Sequence, residues 1–217
     1  MTAVLPPFEP LVGRFIAIEP LTRAHLPELY DALAHPEVFA GGFGGGPAGF
    51  RADRVGFLAW AEQGYRFDSE LAQPYAIRLV GGHDDGRLVG SSTLADFDLP
   101  LESTHIGWTA YDPRVWGTAV NPETKLLLLG RAFDSGFGRV KIQADALNDR
   151  SRAAILKLGA QFEGIVRRER PRADGSWRDT AVYSILVDEW PAVRAGLLAR
   201  LEAGSGDPVV LRPYSAR

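Results

Sequence analysis

The order of apolar and polar residues predicts a mixed α/β domain of the α+β type, a mostly antiparallel sheet flanked by helices. Two observations carry this. Short alternating strand segments dominate the first half, and a strand–helix–strand–helix–strand order follows from residue 104 onward. A third is the Asp174-Gly175 pair between two apolar runs, a strong hairpin turn.

Each element has its own signal. Residues 14–20 alternate and read as a strand. Thr22 then caps a helix reaching about residue 34, with Leu26, Leu29, Tyr30 and Leu33 on one face. A glycine-rich run spans 41–49. Residues 50–63 read as a helix with Val55, Leu58 and Ala59 inward. Residues 74–80 and 87–95 pair through the turn at 81–86, and 104–111 form the next strand. A long apolar helix covers 123–133 and stops at Gly136 or Gly138. Residues 140–144 are a strand, Asn148 caps a short helix ending at Gly159, and strands at 162–168 and 180–187 flank the hairpin turn. Residues 188–202 form the last helix. The segment 209–211 is open to being an edge strand or a strip that docks on a neighbour, so a homodimer is one expected assembly.

Composition narrows the function classes. The 217 residues are 46% hydrophobic and 24% charged, ordinary for one globular unit with a full core. A net charge of -3 gives no broad basic field for nucleic acid. With no cysteine, disulfides, thiolate metal sites and cysteine nucleophiles drop out. The four histidines lack ligand spacing, so no metal is expected. No targeting segment or long apolar run is seen, so a cytoplasmic protein without membrane partners is the expectation.

The most informative stretch is Trp116-Gly117-Thr118-Ala119-Val120-Asn121-Pro122-Glu123, between a strand and a helix start. Small residues there offer several main-chain N–H groups to one anion, and the helix dipole adds positive potential. Asn121 suits the N-cap and Pro122 the first helical position; a plain capped turn accounts for these residues equally well. The glycine run contains Gly44-x-Gly46-x-x-Gly49, but it follows a helix rather than a strand, so a dinucleotide site is not expected. A substrate loop or a surface loop fits better. The arginines 167, 168, 170, 172 and 178 surround the hairpin and read mainly as a solvated face. At a second strand-to-helix junction, Asn148 and Ser151 fit N-cap and N3 positions, or face a groove beside the first loop.

Together these segments resemble the GNAT superfamily of N-acetyltransferases, and more narrowly the branch of the ribosomal-protein N-terminal acetyltransferases RimJ and RimL. The resemblance covers residues 11–193. It rests on His105-Ile-Gly-Trp108, the loop 116–125, Asn148-x-x-Ser151, Lys157-Leu-Gly159-Ala160, and Arg178-Asp-Thr…Tyr183-Ser…Glu189-Trp190. It implies one acetyltransferase domain over 11–203, with an extension at 1–10 and a tail at 204–217. It also implies a twisted sheet splayed at its fourth and fifth strands, the His105 and Val140 strands. Acetyl-CoA would lie in that opening as co-substrate. Its pyrophosphate would meet the amides of Gly117, Thr118, Ala119, Val120 and Asn121, beside Trp116. Its pantetheine would run along Trp108, Thr109 and Ala110, and Asn148 would bond the thioester end.

The family loop pattern Gln/Arg-x-x-Gly-x-Gly/Ala has Trp116, Ala119 and Asn121 at its defined positions. The frequent tyrosine acid falls at Ile155 and the frequent glutamate base at His105. The implied reaction is direct attack of a primary amine, from a protein N-terminus or a small molecule, on the thioester. His105 is the first candidate base, Glu102 the second, and a water chain a third route. Ser151 would donate to the leaving sulfur. A catalytically silent acyl-CoA-binding or interaction module is the alternative.

Overall fold

The computed structural model describes residues 2–204 and 206–214. Its eight strands are β1 (Leu11–Val12), β2 (Ile16–Pro20), β3 (Ala72–Leu79), β4 (Leu88–Asp98), β5 (Ser103–Tyr111), β6 (Arg139–Asp145), β7 (Gln161–Pro171) and β8 (Trp177–Leu186). The helices are α1 (Leu26–Leu33), α2 (Pro36–Ala40), α3 (Arg54–Gly64), α4 (Val120–Asp134), α5 (Asp149–Leu156) and α6 (Trp190–Glu202).

The strands form one sheet in the order β1-β2-β3-β4-β5-β6-β8-β7. Every neighbouring pair is antiparallel except β5 and β6. A parallel pair needs a crossover, and α4 supplies it. Side chains alternate along β3: Tyr75, Ile77 and Leu79 enter one apolar cluster with α4 and α6, while Ala76 enters a second with α1 and α3. The sheet is therefore covered on both faces at its centre.

Some expectations change. α1 is preceded by a tighter turn over Arg23–His25, so the α-helix proper starts at Leu26. On α3 the inward residues are Phe57 and Ala61; Val55 is 79% exposed, the reverse of its expected placement. The segment 209–211 forms no strand. Val209 is buried in its own core and the Leu211 N–H donates to Asp84 Oδ2 at 2.9 Å, so this strip docks on its own chain. The start of the chain is also held, with Ala3 buried and the Val4 N–H donating to the Ser135 carbonyl at 2.9 Å. Among the described residues no helix is long and apolar enough to cross a membrane.

Candidate active site

β5 and β6 pair over only four registers, Ser103↔Arg139 to Ile106↔Ile142. Beyond Ile106 the strands diverge, and β5 from Gly107 to Tyr111 has a free edge toward β6. Within that edge β5 bulges: Ser91↔Ala110 and Thr93↔Gly107 leave Trp108 and Thr109 opposite one residue, and Trp108 sits at φ 48°. A cavity of about 550 Å³ opens at the split. Its far wall is aromatic, with the Trp108 ring 5.6 Å from Tyr65, 6.0 Å from Phe43 and 6.4 Å from Trp60 between centroids. The glycine run borders the cavity, and the Gly45 carbonyl accepts from the Ala173 N–H of the β7–β8 turn at 3.0 Å.

The loop after β5 meets the cavity at Trp116, Gly117 and Asn121. α4 starts at Val120 with Ala119 at its cap position, so Asn121 is not the N-cap. Asn121 Oδ1 instead accepts from the Tyr111 hydroxyl at 3.0 Å. Pro122 is the third helical residue, where an N–H would also lack a helical acceptor. The reason for the earlier start is tertiary. The buried Glu123 carboxylate accepts the N–H groups of Arg14, Phe15 and Ile16 at 2.7 to 2.8 Å, which pins the first helical turn to β2. Thr118 turns inward, its hydroxyl donating to the Val115 carbonyl at 2.6 Å and accepting from the Val120 N–H at 3.3 Å. Among the described residues the N–H groups of Gly117, Ala119 and Asn121 find no protein acceptor. Gly117 has φ +76°, and no heavy atom lies within 4 Å of where a Cβ would sit. Three main-chain donors at a helix start form an anion cradle. Arg150 adds a cation nearby, its guanidinium 3.5 Å from the Trp116 ring centroid.

Asn148 caps α5, its Oδ1 accepting the Ser151 N–H at 3.0 Å and its Nδ2 donating to the Gly41 carbonyl at 2.6 Å. One Nδ2 proton remains for another acceptor. Ser151 and Ile155 border the cavity from the same helix. Ile155 offers no proton.

His105 lies on the paired part of β5 at the cavity wall. Its Nδ1 is 3.2 Å from Asp96 Oδ2, so the tautomer with Nδ1–H donating leaves a lone pair on Nε2. Nε2 is buried, without a partner among the described residues. Burial lowers the imidazole pKa, and Asp96 only partly opposes this. Asp96 is held down to about 2, chiefly by the hydrogen bond from His105. Arg66 completes the chain at 3.3 Å from Asp96. Glu102 is not brought to the cavity. It sits in the β4–β5 turn at φ 48°, and its carbonyl accepts from the Gly138 and Arg139 N–H groups at 2.8 and 3.0 Å.

Two residues of the site escape sequence reasoning. Asp96 approaches His105 only through pairing of β4 with β5. Lys125 is 4% exposed; its Nζ donates to Thr109 Oγ1 at 2.9 Å and stands 3.5 Å from Ser92 Oγ. Its bonds are to hydroxyls, with no carboxylate partner among the described residues, and burial pulls its pKa down to about 7. The signal in the sequence was a single cation on the apolar stripe of Leu128, Leu129 and Ala132.

An open seam between parallel strands, with free main-chain amides at its mouth and an oriented imidazole on its wall, marks the candidate active site. Likeness to known proteins gives the class. Residues 16–161 match the model of the Acetyltransferase (GNAT) domain. A crystal structure from T. thermophilus, provisionally described as an acetyltransferase, shares 33% identity over 89% of this chain and 97% of its own, with a TM-score of 0.77. A GCN5-related N-acetyltransferase from Brucella melitensis shares 27% identity over 92% of this chain and 88% of its own, with a TM-score of 0.80. Mycobacterium smegmatis RimJ, solved with CoA-disulfide, has a TM-score of 0.68 at 20% identity over 92% and 97%, a likeness of fold alone. No curated protein sequence matches. The chain belongs to the GNAT family and is an N-acetyltransferase.

Proposed function

We propose that this protein transfers an acetyl group from acetyl-CoA to a primary amine by direct attack of the amine on the thioester. The observation that carries this is the free edge of β5 beside three unanswered N–H groups at the start of α4. Gly117, Ala119 and Asn121 receive the diphosphate through their amides, with Thr118 and Val120 shaping the turn and Trp116 holding Arg150 above it. The pantetheine lies along Trp108, Thr109 and Ala110 as an added strand, its amides answering β5. Asn148 gives its remaining Nδ2 proton to the thioester end.

His105 is the base in this reading, and Asp96 is a positioning residue that fixes its tautomer. Because Nε2 is covered at rest, the ring must shift to meet the ammonium proton, directly or through one water. The freed amine attacks the acetyl carbonyl, the C–S bond breaks, and the Ser151 hydroxyl donates a hydrogen bond to the departing thiolate. The RimJ and RimL branch, and with it a protein N-terminal acceptor, is one candidate class; a small-molecule amine is the other. Ala119 and Ile155 favour a second reading, a silent acyl-CoA-binding module. Release of free thiol from acetyl-CoA against a panel of amines separates the two.

With its pKa lowered, His105 is neutral at pH 7 and ready to accept. Turnover should stay level through neutral pH and fall only on acidification below the ordinary histidine range. His105→Ala should cost about 100-fold in kcat and erase that acid limb while leaving acetyl-CoA affinity intact. Unchanged turnover removes His105 as base. Gly107 tests the same group independently. A Cβ there would meet His105 Cε1 at 2.5 Å and Nε2 at 2.9 Å. Gly107→Ala should therefore displace the ring and lower kcat about tenfold, read by steady-state kinetics beside calorimetry with acetyl-CoA.

A further inference from the structure

The cleft holds more positive charge than its loop end uses. Arg66, Lys125, Arg150, Arg170, Arg172 and Arg178 line it against two carboxylates, Asp96 and Asp145, in a chain of net charge -3. Most of these cations are answered locally. Arg172 pairs with Asp145 at 2.8 Å and Arg66 with Asp96 at 3.3 Å. Arg150 lies on Trp116 beside the anion cradle, and Lys125 bonds Thr109.

Arg170 and Arg178 remain. They are direct partners across the β7–β8 ladder, an arrangement in which like charges repel. Arg170 reaches the neighbouring Glu169 at 3.3 Å. The Arg178 side chain makes no ion pair or hydrogen bond among the described residues, and its Nε is buried. Arg178 is half-buried beside the exposed Arg170, and although Asp145 and Glu169 lie near enough to attract it, neither bonds it. Its covered Nε therefore lacks an acceptor that an anion lying between the two guanidinium groups would supply. The planar fork suits a carboxylate or phosphate bound in two-point fashion. The pair also sits on the hairpin whose turn is bonded to Gly45, whereas the cradle for the coenzyme lies at the start of α4.

We propose that the acceptor amine carries a carboxylate or phosphate group, and that Arg178, with Arg170 opposite, holds this group while the amine reaches the thioester. This rests on the acetyl-transfer reading above. The anion has one other source, the phosphates of coenzyme A, and the test separates the two.

The experiment uses the full chain and its Arg178→Gln and Arg178→Lys forms. Acceptors are ω-amino acids of increasing length and phosphoethanolamine, each against its neutral isostere, the carboxamide or ethanolamine. Expected are a preference of at least tenfold in kcat/KM for the anionic member, its loss through KM in Arg178→Gln, partial retention in Arg178→Lys, and an unchanged Kd for acetyl-CoA. Equal use of the neutral isosteres overturns the proposal, as does a weaker acetyl-CoA affinity in Arg178→Gln. Should no amine react, inorganic phosphate decides. It should raise the Tm of the CoA-saturated protein but not that of Arg178→Gln, and failure to do so overturns the proposal. If acetyl-CoA itself does not bind, the acetyl-transfer reading falls first, a result distinct from binding and turnover without anion preference.

Discussion

Replacing Lys125 with methionine should stabilise this protein at pH 7, by at most about 5 kcal/mol, and flatten its rise in stability toward alkaline pH. In the unfolded chain a lysine ammonium titrates at 10.5, whereas burial without a carboxylate brings Lys125 down to about 7. Between those values the unfolded chain binds a proton that the folded chain does not, so stability climbs as pH rises from about 7 to 10.5. Below pH 7 the full penalty is present. A gap of that size, at roughly 1.4 kcal/mol per unit, sets the upper bound given above. Methionine keeps the straight chain, and Ser92 and Thr109 still bond each other at 2.7 Å. Urea unfolding of both proteins at pH 7, 8.5 and 10 checks this. Parallel profiles would mean that the folded protein holds Lys125 charged at no cost.

Gly117→Asp should weaken acetyl-CoA about 1000-fold while leaving the fold intact. The residue occupies φ +76°, which costs a side-chain-bearing residue roughly 1–2 kcal/mol. The new Cβ meets nothing, so the fold tolerates it. Its carboxylate, however, would stand among the free amides, taking their protons and repelling the diphosphate. Gly117→Ala isolates the backbone part and should weaken binding far less. Calorimetry on the three proteins reads both effects, and undiminished binding in Gly117→Asp would remove the loop from the coenzyme site.

The succession of strands and helices along the chain and the two strand-to-helix junctions were legible because each rests on local pattern: alternation, the Asp174-Gly175 turn, and small residues before an apolar helix. What was not legible depends on distant contacts. Two-residue β1 and five-residue α2 are too short to show a period. The Asn121-Pro122 pair reads locally as a cap, yet Glu123 binding three amides of the 14–16 segment draws the helix start back to Val120. Val55 lies outward because Asp53 caps α3 by accepting the Gly56 N–H at 2.7 Å, and Phe57 and Ala61 then face the core. His105 was visible as an ionisable residue on a strand; its partner Asp96 sits where the β4–β5 register shifts. The unpaired state of Arg178 emerges only once the hairpin sets it opposite Arg170.

The parting of β5 from β6 places an unusual demand on the sheet. Most sheets are least protected at their borders, where amides exchange freely with solvent. Here the centre is open as well: residues 107–111 have no strand partner on the β6 side, and at its far end the Tyr111 carbonyl takes the Trp116 Nε1–H instead, at 3.0 Å. In the proposed reading, a ligand lying there as a surrogate strand would knit the two halves together, and the resting protein would be an unfinished sheet whose co-substrate is its last component.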